Sequence, residues 1–386
     1  MPPTLTRRER IMRIHQNKDI DRPALKLWGA VPARRAFDQV YSPGAAQSSL
    51  YGPVTQLALE TTDVFGQMGA EFNPWFGRLE NEYIHEVREP CGIDNWYNLR
   101  RTVRTPLGDL TSLRRVSEVG EPGYTLEYLI KDADDLRKLL STPYEPYPFD
   151  PKEYNDLDAL VGDRGVAILG LPHPATQFAP ACGSETLALL CMDEPELIEE
   201  AVELYRGRVA ALLEDIIGHG LKPVYGIIGP EMLTPPLLNM EWFRRTVVEP
   251  NRALYARIKE SGGYIWMHCH GKVANLLDDL IEIGVDVLNP LEPPKNGDID
   301  MAGAIRKYGR RIGWEGNIEI QDLLLSTPEE VRFLMKECVD AGAPSGRFIL
   351  CPSAGYMEYV YPTEHYINNL MLYLRYGLEL VEAAKY

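Results

Sequence analysis

The chain has 386 residues, of which 45% are hydrophobic and 25% charged, and its formal net charge at pH 7 is −16. This hydrophobic content is ordinary for a packed globular protein, and the length suits one large α/β barrel with additions or two average domains. The acidic balance, without any long stretch rich in Lys and Arg, argues against nucleic acid and against an anionic membrane surface as partners, because both require concentrated positive charge.

No apolar run is long enough to span a membrane, and the first residues lack the apolar core of a signal peptide. We therefore expect a soluble cytoplasmic protein. The six cysteines are scattered without a pairing pattern, which in a chain of this size favours reduced thiols over a disulfide framework.

The N-terminal third begins with elements of mixed type. The patterns predict a helix at 5–16, a strand at 24–31 and a helix at 54–60. Between about 69 and 119 the hydrophobic alternation changes to that of antiparallel strands, with segments at 81–88, 97–104 and 109–115 and a hairpin turn at Leu107-Gly108-Asp109. We interpret 69–119 as a β-rich insertion. A helix at 133–140 and a Pro-rich connection at 142–151 follow.

From Gly165 onward strands and helices alternate regularly. The predicted strands are 166–171, 223–228, 264–268, 285–289, 312–315 and 348–351. The predicted helices are 184–217, 240–261, 273–283, 301–308, 328–342 and 363–378. This spacing predicts βαβ units and a parallel sheet, hence an α/β fold with a (β/α)8 TIM barrel as one domain over 1–386. A doubly wound sheet is the second choice, since no glycine-rich phosphate loop follows any strand.

Function in such a barrel gathers where strands end. The side chains at these ends include many that bind metals or transfer protons, namely His173, Glu231, His268, His270, Asn289, Glu292, Glu315, Asn317, Glu319 and Cys351.

The most informative stretch is Tyr264 to Gly271, a short apolar strand that ends in two histidines. His268 and His270 point to the same face because side chains alternate along a strand. Cys351, at the end of another predicted strand, is the best third ligand. Two His, one Cys and one open position are the ligand set of a catalytic zinc. The alternative is two polar residues beside a turn and an ordinary buried cysteine.

Three further residues are candidates for catalysis. Glu231 is a fourth ligand or a base near the metal, or alternatively a carboxylate that caps the next helix. Asn289 orients substrate, or serves a turn. Tyr356, with Tyr359 and Tyr361, lines an aromatic pocket, or packs a long loop.

Several segments together resemble the uroporphyrinogen decarboxylase superfamily. They are the opening Arg7-Arg8-Glu9-Arg10, Asp21-Arg22-Pro23, Gly229-Pro230-Glu231 with Pro235, the strand ending in His268 with Gly271, and Gly313-Trp314-Glu315-Gly316-Asn317. The resemblance spans nearly the whole chain and implies a (β/α)8 barrel. One branch of the superfamily decarboxylates uroporphyrinogen without a cofactor. The other contains zinc-dependent methyltransferases that work with corrinoid proteins.

The methyltransferase branch has a zinc motif of His-x-Cys followed by a distant Cys. His268 and Cys351 match it, whereas His270 replaces the middle Cys and removes a negative charge, which favours an oxygen substrate over a thiolate. The resemblance therefore implies a Zn²⁺ enzyme that moves a methyl group from an O-methyl donor, such as a methoxylated aromatic, to a corrinoid.

The chain has no Asp-x-His-x-x-Gly cobalamin motif, so we expect a partner protein to supply the corrinoid. The alternatives are transfer between methylcobalamin and a thiol, a decarboxylase that uses Arg34 and Arg35, and a scaffold with structural zinc. Whether the chain forms a homodimer stays open.

Overall fold

A computed structural model describes residues 4–30, 50–356 and 362–384. Its main feature is a curled sheet of eight parallel strands in the order β1-β12-β11-β10-β9-β8-β7-β2. These strands are β1 (Ala24–Leu25), β2 (Val64–Gly69), β7 (Gly165–Gly170), β8 (Val224–Ile228), β9 (Tyr264–His268), β10 (Val287–Asn289), β11 (Gly313–Ile318) and β12 (Phe348–Pro352). The two ends of the sheet meet where the Asp63 N–H donates to the Leu25 carbonyl at 2.7 Å. The predicted TIM-barrel-like α/β fold is confirmed.

Helices connect the strands and cover the outside of the sheet. In chain order they are α1 (Arg7–His15), α2 (Tyr51–Thr61), α3 (Glu80–Tyr83), α4 (Ala133–Leu140), α5 (Pro151–Val161), α6 (Phe178–Asp193), α7 (Pro195–Gly218), α8 (Met240–Phe243), α9 (Glu249–Glu260), α10 (Leu277–Glu282), α11 (Met301–Tyr308), α12 (Ile320–Leu325), α13 (Pro328–Gly342) and α14 (Glu364–Ala383). A π-helical segment, Arg244–Val248, joins α8 to α9. Within the described ranges, none of the helices has the length and apolar character needed to cross a membrane.

Helix α1 lies against one end of the barrel and is held there by buried charges. Its first turn is closed by a capping box between Thr6 and Glu9. Arg10 is 3% exposed and forms ion pairs with Asp21 at 2.7 Å and Asp63 at 2.5 Å. Asp63 also accepts the Leu25 N–H at 2.8 Å, so the same carboxylate links the helix to β1.

The barrel interior contains an ion pair surrounded by aromatic rings. The ammonium of Lys26 lies 2.6 Å from one oxygen of Glu315, and Trp266 Nε1 donates to the other at 2.8 Å. The same ammonium lies 4.2 to 4.5 Å from the ring centroids of Trp28, Phe65 and Trp266. Because a buried charge is tolerated only when it is paired and hydrogen-bonded, these contacts account for a lysine inside the barrel.

The predicted β-rich region forms a separate antiparallel sheet of four strands in chain order. These strands are β3 (Ile84–Pro90), β4 (Trp96–Val103), β5 (Leu110–Ser117) and β6 (Tyr124–Glu127). The sheet extends beyond the predicted limit of 119, because β6 pairs with β5 after a loop that contains Gly120 and Gly123. The assignment of all residues to one domain stays a prediction.

Some predicted elements differ from the structure. The first strand is shorter than 24–31, because Gly29, at φ +90°, and the Ala30 N–H bond to the Leu27 carbonyl turn the chain. Helix α5, in which Pro151 occupies a first-turn position, begins where the sequence predicts only the end of a Pro-rich connection. Helix α12 has six residues, too few to give a clear hydrophobic period.

Candidate active site

Two histidines mark the site at the end of β9. His268 pairs in register with Ile228 of β8 and Asn289 of β10, so it lies within the sheet, and His270 follows two residues later. The two imidazole rings are 4.5 Å apart between centroids and nearly perpendicular. The prediction that they share one face of the strand end agrees with this placement.

Oxygen acceptors fix the orientation of both rings. His268 Nδ1 donates to Asn289 Oδ1 at 2.6 Å, and His270 Nδ1 donates to Glu292 Oε1 at 2.9 Å. Burial lowers the pKa of His268 to about 3, so this ring is neutral at ordinary pH. A neutral imidazole protonated on Nδ1 carries its lone pair on Nε2, and an oxygen partner on the other nitrogen is what metal-binding histidines generally have.

Glu292 connects His270 to the turn that follows it. Its second oxygen accepts the Gly271 N–H at 2.6 Å, and Gly271 has φ +84°, a conformation that favours glycine. Burial acts to raise the pKa of Glu292, but the bonds from His270 and Gly271 outweigh it and lower the pKa. The carboxylate is therefore ionised beside the imidazole. The sequence places Glu292 at a strand end but gives no signal that it would hold His270.

Glu231 lies on the neighbouring turn after β8, in the short 3₁₀ helix Pro230–Leu233. Burial raises its pKa, while its own N–H, the His270 charge and the His270 N–H act to lower it. Its Oε2 atom is buried and has no hydrogen-bond partner among the described residues. A buried carboxylate oxygen of this kind suits a cation or a proton.

Glu319 is a third carboxylate, close enough to Glu292 for their charges to interact. Burial raises its pKa, and the charges of Asp322 and Glu292 add to this effect. One of its oxygens accepts from Asn296, whereas Oε1 is buried without a partner within the described part of the chain.

Aromatic side chains form the floor of the site. The Trp266 ring stacks on His268 with centroids 5.9 Å apart, and Trp28 lies 4.8 Å from His268. These two rings also contact the Lys26 ammonium, so the same tryptophans separate His268 from the buried ion pair.

Cys351 lies three strands away from His268 in the curled sheet. It is fully buried in the interior cluster with Trp266 and Ile349, and its thiol donates to the Pro352 carbonyl at 3.2 Å. Burial raises the pKa of this thiol well above its usual value. In residues 4–30, 50–356 and 362–384, no three His, Cys, Asp or Glu side chains are close enough to hold a metal ion. The set of His268, His270 and Cys351 therefore stays a prediction.

The other candidates have clear contacts. Asn289 holds His268 through Oδ1, while its Nδ2 is buried and has no partner among the described residues. Tyr356 is fully buried, with its hydroxyl 2.5 Å from Thr55 Oγ1 and its ring edge-on to Tyr51. These are packing contacts, and a catalytic part for Tyr356 stays a prediction. Tyr359, Tyr361, Arg34 and Arg35 lie outside the described residues.

His173, a further polar residue after a strand, is a buried loop histidine. Its Nδ1 accepts the Ala175 N–H at 3.1 Å, and its Nε2 lies 2.8 Å from the Asn251 amide. Burial lowers its pKa to about 3.

The sequence profile described as Uroporphyrinogen decarboxylase (URO-D) matches residues 169–367, slightly more than half of the chain. This chain belongs to the uroporphyrinogen decarboxylase family. The matched region contains every candidate site residue named above from His173 to Tyr356, so the family and the strand-end site coincide. The family resemblance predicted from the sequence is confirmed.

A comparison with solved structures agrees with the barrel fold of this family member. A methyltransferase from Methanosarcina mazei matches over 95% of this chain and 97% of its own, with a TM-score of 0.56 and 13% identity. A Bacteroidetes-affiliated GH5 cellulase (TM-score 0.36, 11% identity, 61% and 75% covered) and the muconate lactonizing enzyme from Pseudomonas putida (TM-score 0.25, 11% identity, 76% and 77% covered) are more distant. No curated protein sequence matches the chain significantly.

Proposed function

We propose that this member of the family is a zinc-dependent methyltransferase that moves a methyl group from an O-methyl donor to a corrinoid on a separate protein. The observation that carries the proposal is the pair of imidazoles at the end of β9, each with Nδ1 bonded to an oxygen acceptor. The fold it shares with a protein described as a methyltransferase also supports it. We expect a methoxylated aromatic as donor.

The site residues would have two roles, namely holding the zinc and orienting its histidine ligands. His268, His270 and Cys351 would hold the zinc, which when bound would act as a Lewis acid toward the oxygen that the methyl group leaves. Asn289 and Glu292 keep the two rings in the tautomer that binds a metal through Nε2. The Cys351 thiol lies in the barrel interior.

Glu231 is the candidate acid or base. A carboxylate whose pKa is raised by burial exchanges a proton more readily near neutral pH than an exposed one does. Its buried Oε2 atom would otherwise serve as a fourth ligand. Replacing Glu231 by Gln separates the two roles, because the amide oxygen still coordinates but carries no titratable proton.

The charge at the site argues against the decarboxylase alternative. Three carboxylates, Glu231, Glu292 and Glu319, interact with one another or with His270. They would repel a porphyrinogen that carries eight carboxylates and also an anionic thiolate, since like charges in a partly buried site interact strongly. A neutral or singly charged methoxylated aromatic suits this environment better.

The corrinoid would come from a partner protein, because the sequence has no cobalamin motif of its own. The purified chain should therefore be colourless and inactive alone, and active when a reduced corrinoid protein or Co(I) cobalamin is added. A stoichiometric corrinoid spectrum in the purified chain would contradict this organisation.

Metal analysis of purified variants tests the zinc assignment. We expect about one zinc per chain in the wild type, and loss of zinc and of methyl transfer together in His268→Ala, His270→Ala and Cys351→Ser. Cys191→Ser, at a buried cysteine of helix α6, is the matched control that should retain both. Full zinc retention in His268→Ala and Cys351→Ser would refute the assignment. Removal of a catalytic zinc by a chelator should abolish activity and leave the protein folded, whereas removal of a structural zinc would unfold it.

A further inference from the structure

The outer edge of β3 is open to solvent. Within the described residues β3 pairs with β4 alone, and its residues from His85 to Arg88 are exposed. The Arg104 N–H donates to the Tyr83 carbonyl at 2.8 Å, in line with the β3–β4 register. Because hydrogen-bonded and non-bonded pairs alternate along an antiparallel ladder, the backbone N–H and C=O groups of Glu86 and Arg88 point away from β4. They are available to another strand.

We propose that two copies of the chain pair edge to edge through β3, antiparallel, with a two-fold axis at Val87. A two-fold axis perpendicular to the sheet makes the two identical edges run antiparallel. In the register centred on Val87, Glu86 faces the partner's Arg88 and Arg88 faces the partner's Glu86. Each of these pairs exchanges two backbone hydrogen bonds.

The charges select this register. Shifting the pairing by two residues in one direction places Arg88 opposite Arg88, and shifting it in the other direction places Glu86 opposite Glu86. Like charges directly opposite each other are unfavourable, whereas opposite charges are favourable. A shift by one residue brings outward-facing groups against inward-facing ones and loses the hydrogen bonds.

The side chains of β3 also suit a second copy. Val87 is 58% exposed, and in the proposed register it meets the partner's Val87 at a non-hydrogen-bonded position, where side chains are closest. Arg88 lies over the Tyr97 ring at 4.4 Å and makes no ion pair with any described residue. Glu86 already pairs with Arg101 at 2.7 Å, so it is fixed in a position beside the edge.

A charged edge strand that ends in a proline is also a common way of preventing association. Pairing through β3 predicts a dimer in solution, whereas an edge that prevents association predicts a monomer. A contact of one seven-residue strand is small, so the dimer should be reversible and depend on concentration. Sedimentation equilibrium over a range of concentrations measures its dissociation constant.

Charge reversal gives a specific test. Arg88→Glu should raise the dissociation constant about tenfold or more, because both cross-strand pairs become repulsive. Glu86→Arg should do the same. An equal mixture of the two variants should form a heterodimer, since every facing pair is then of opposite sign. Arg114→Glu, an exposed arginine on the inner strand β5, is the matched control and should leave the dissociation constant unchanged.

Hydrogen exchange provides a second readout that other dimers would not reproduce. In the dimer the Glu86 and Arg88 amides should exchange slowly, and in Arg88→Glu the Glu86 amide should exchange fast, while the Val87 amide stays protected in both. A wild-type protein that stays monomeric at every concentration overturns the proposal. So does a dimer in which the Glu86 and Arg88 amides exchange fast, or in which mixing the two variants gives no heterodimer.

Discussion

The buried pair of Lys26 and Glu315 gives the sharpest prediction about stability. The two side chains are 3% and 0% exposed and lie 2.6 Å apart. Lys26→Met leaves a carboxylate in the barrel interior with the Trp266 N–H and the Cys351 thiol as hydrogen-bond donors but without a compensating positive charge. Removing one partner of such a pair costs about 3–5 kcal/mol of unfolding free energy, because the remaining charge is uncompensated.

Glu315→Gln should cost less. The Lys26 ammonium keeps its contacts with the faces of Trp28, Phe65 and Trp266, and cation–π contacts of a desolvated ammonium contribute about 2 kcal/mol. The amide also keeps an oxygen near the ammonium. We therefore expect a loss of about 1–3 kcal/mol, as for one charge-assisted hydrogen bond.

Urea unfolding of the wild type, both single variants and the double variant measures these effects. Adding Glu315→Gln to Lys26→Met should restore at least about 1 kcal/mol, since the buried charge is then gone. The reasoning would be refuted if Lys26→Met had the stability of the wild type. A double variant that lost the sum of the two single losses would refute it equally.

Two further predictions concern other parts of the barrel. Burial acts to raise the pKa of Asp21, but the hydrogen bond and charge of Arg10 outweigh burial, and the pKa is lowered. The ionised carboxylate therefore stabilises the folded protein above its unfolded pKa of about 3.9. This stability is lost as the pH falls through the lower pKa of the folded state. The stability gap between wild type and Asp21→Asn should therefore shrink between pH 7 and pH 3, and a constant gap would contradict the assignment. Gly165→Ala should lower the free energy of unfolding by more than about 3 kcal/mol, because a Cβ there would lie 1.7 Å from the Val64 carbonyl oxygen. Gly207→Ala, on an open face of α7, should raise the free energy of unfolding by about 0.5–1 kcal/mol. Equal effects of the two substitutions on urea unfolding would be inconsistent with this packing.

The sequence predicts the barrel well because its C-terminal half repeats one pattern. The strand at 264–268 and the helices at 133–140, 301–308 and 328–342 have the bounds of the structure, since each has a clear hydrophobic period and an identifiable start or end. Where local signals are weak, the prediction fails: α12 is too short to show a period and packs against the C-terminal helix α14, and the four-residue strand β6 forms by pairing with β5.

The same limit applies to the site. The alternation of β9 places His268 and His270 together, which needs only local geometry. The partners of these rings, Asn289 and Glu292, lie about twenty residues further along, and only the adjacency of β9 and β10 brings them into contact. Lys26 carries no local signal at all, because a lysine in a strand is ordinarily exposed and the carboxylate that pairs with it is 289 residues away.

The most direct test of the proposed function compares two reactions of the zinc-loaded protein. One tube contains a methoxyphenol and Co(I) cobalamin, and the other contains uroporphyrinogen. We predict methylcobalamin in the first tube, its loss with His268→Ala mainly through a lower kcat, and no change in the second tube. Coproporphyrinogen in the second tube without methylcobalamin in the first would contradict the proposal.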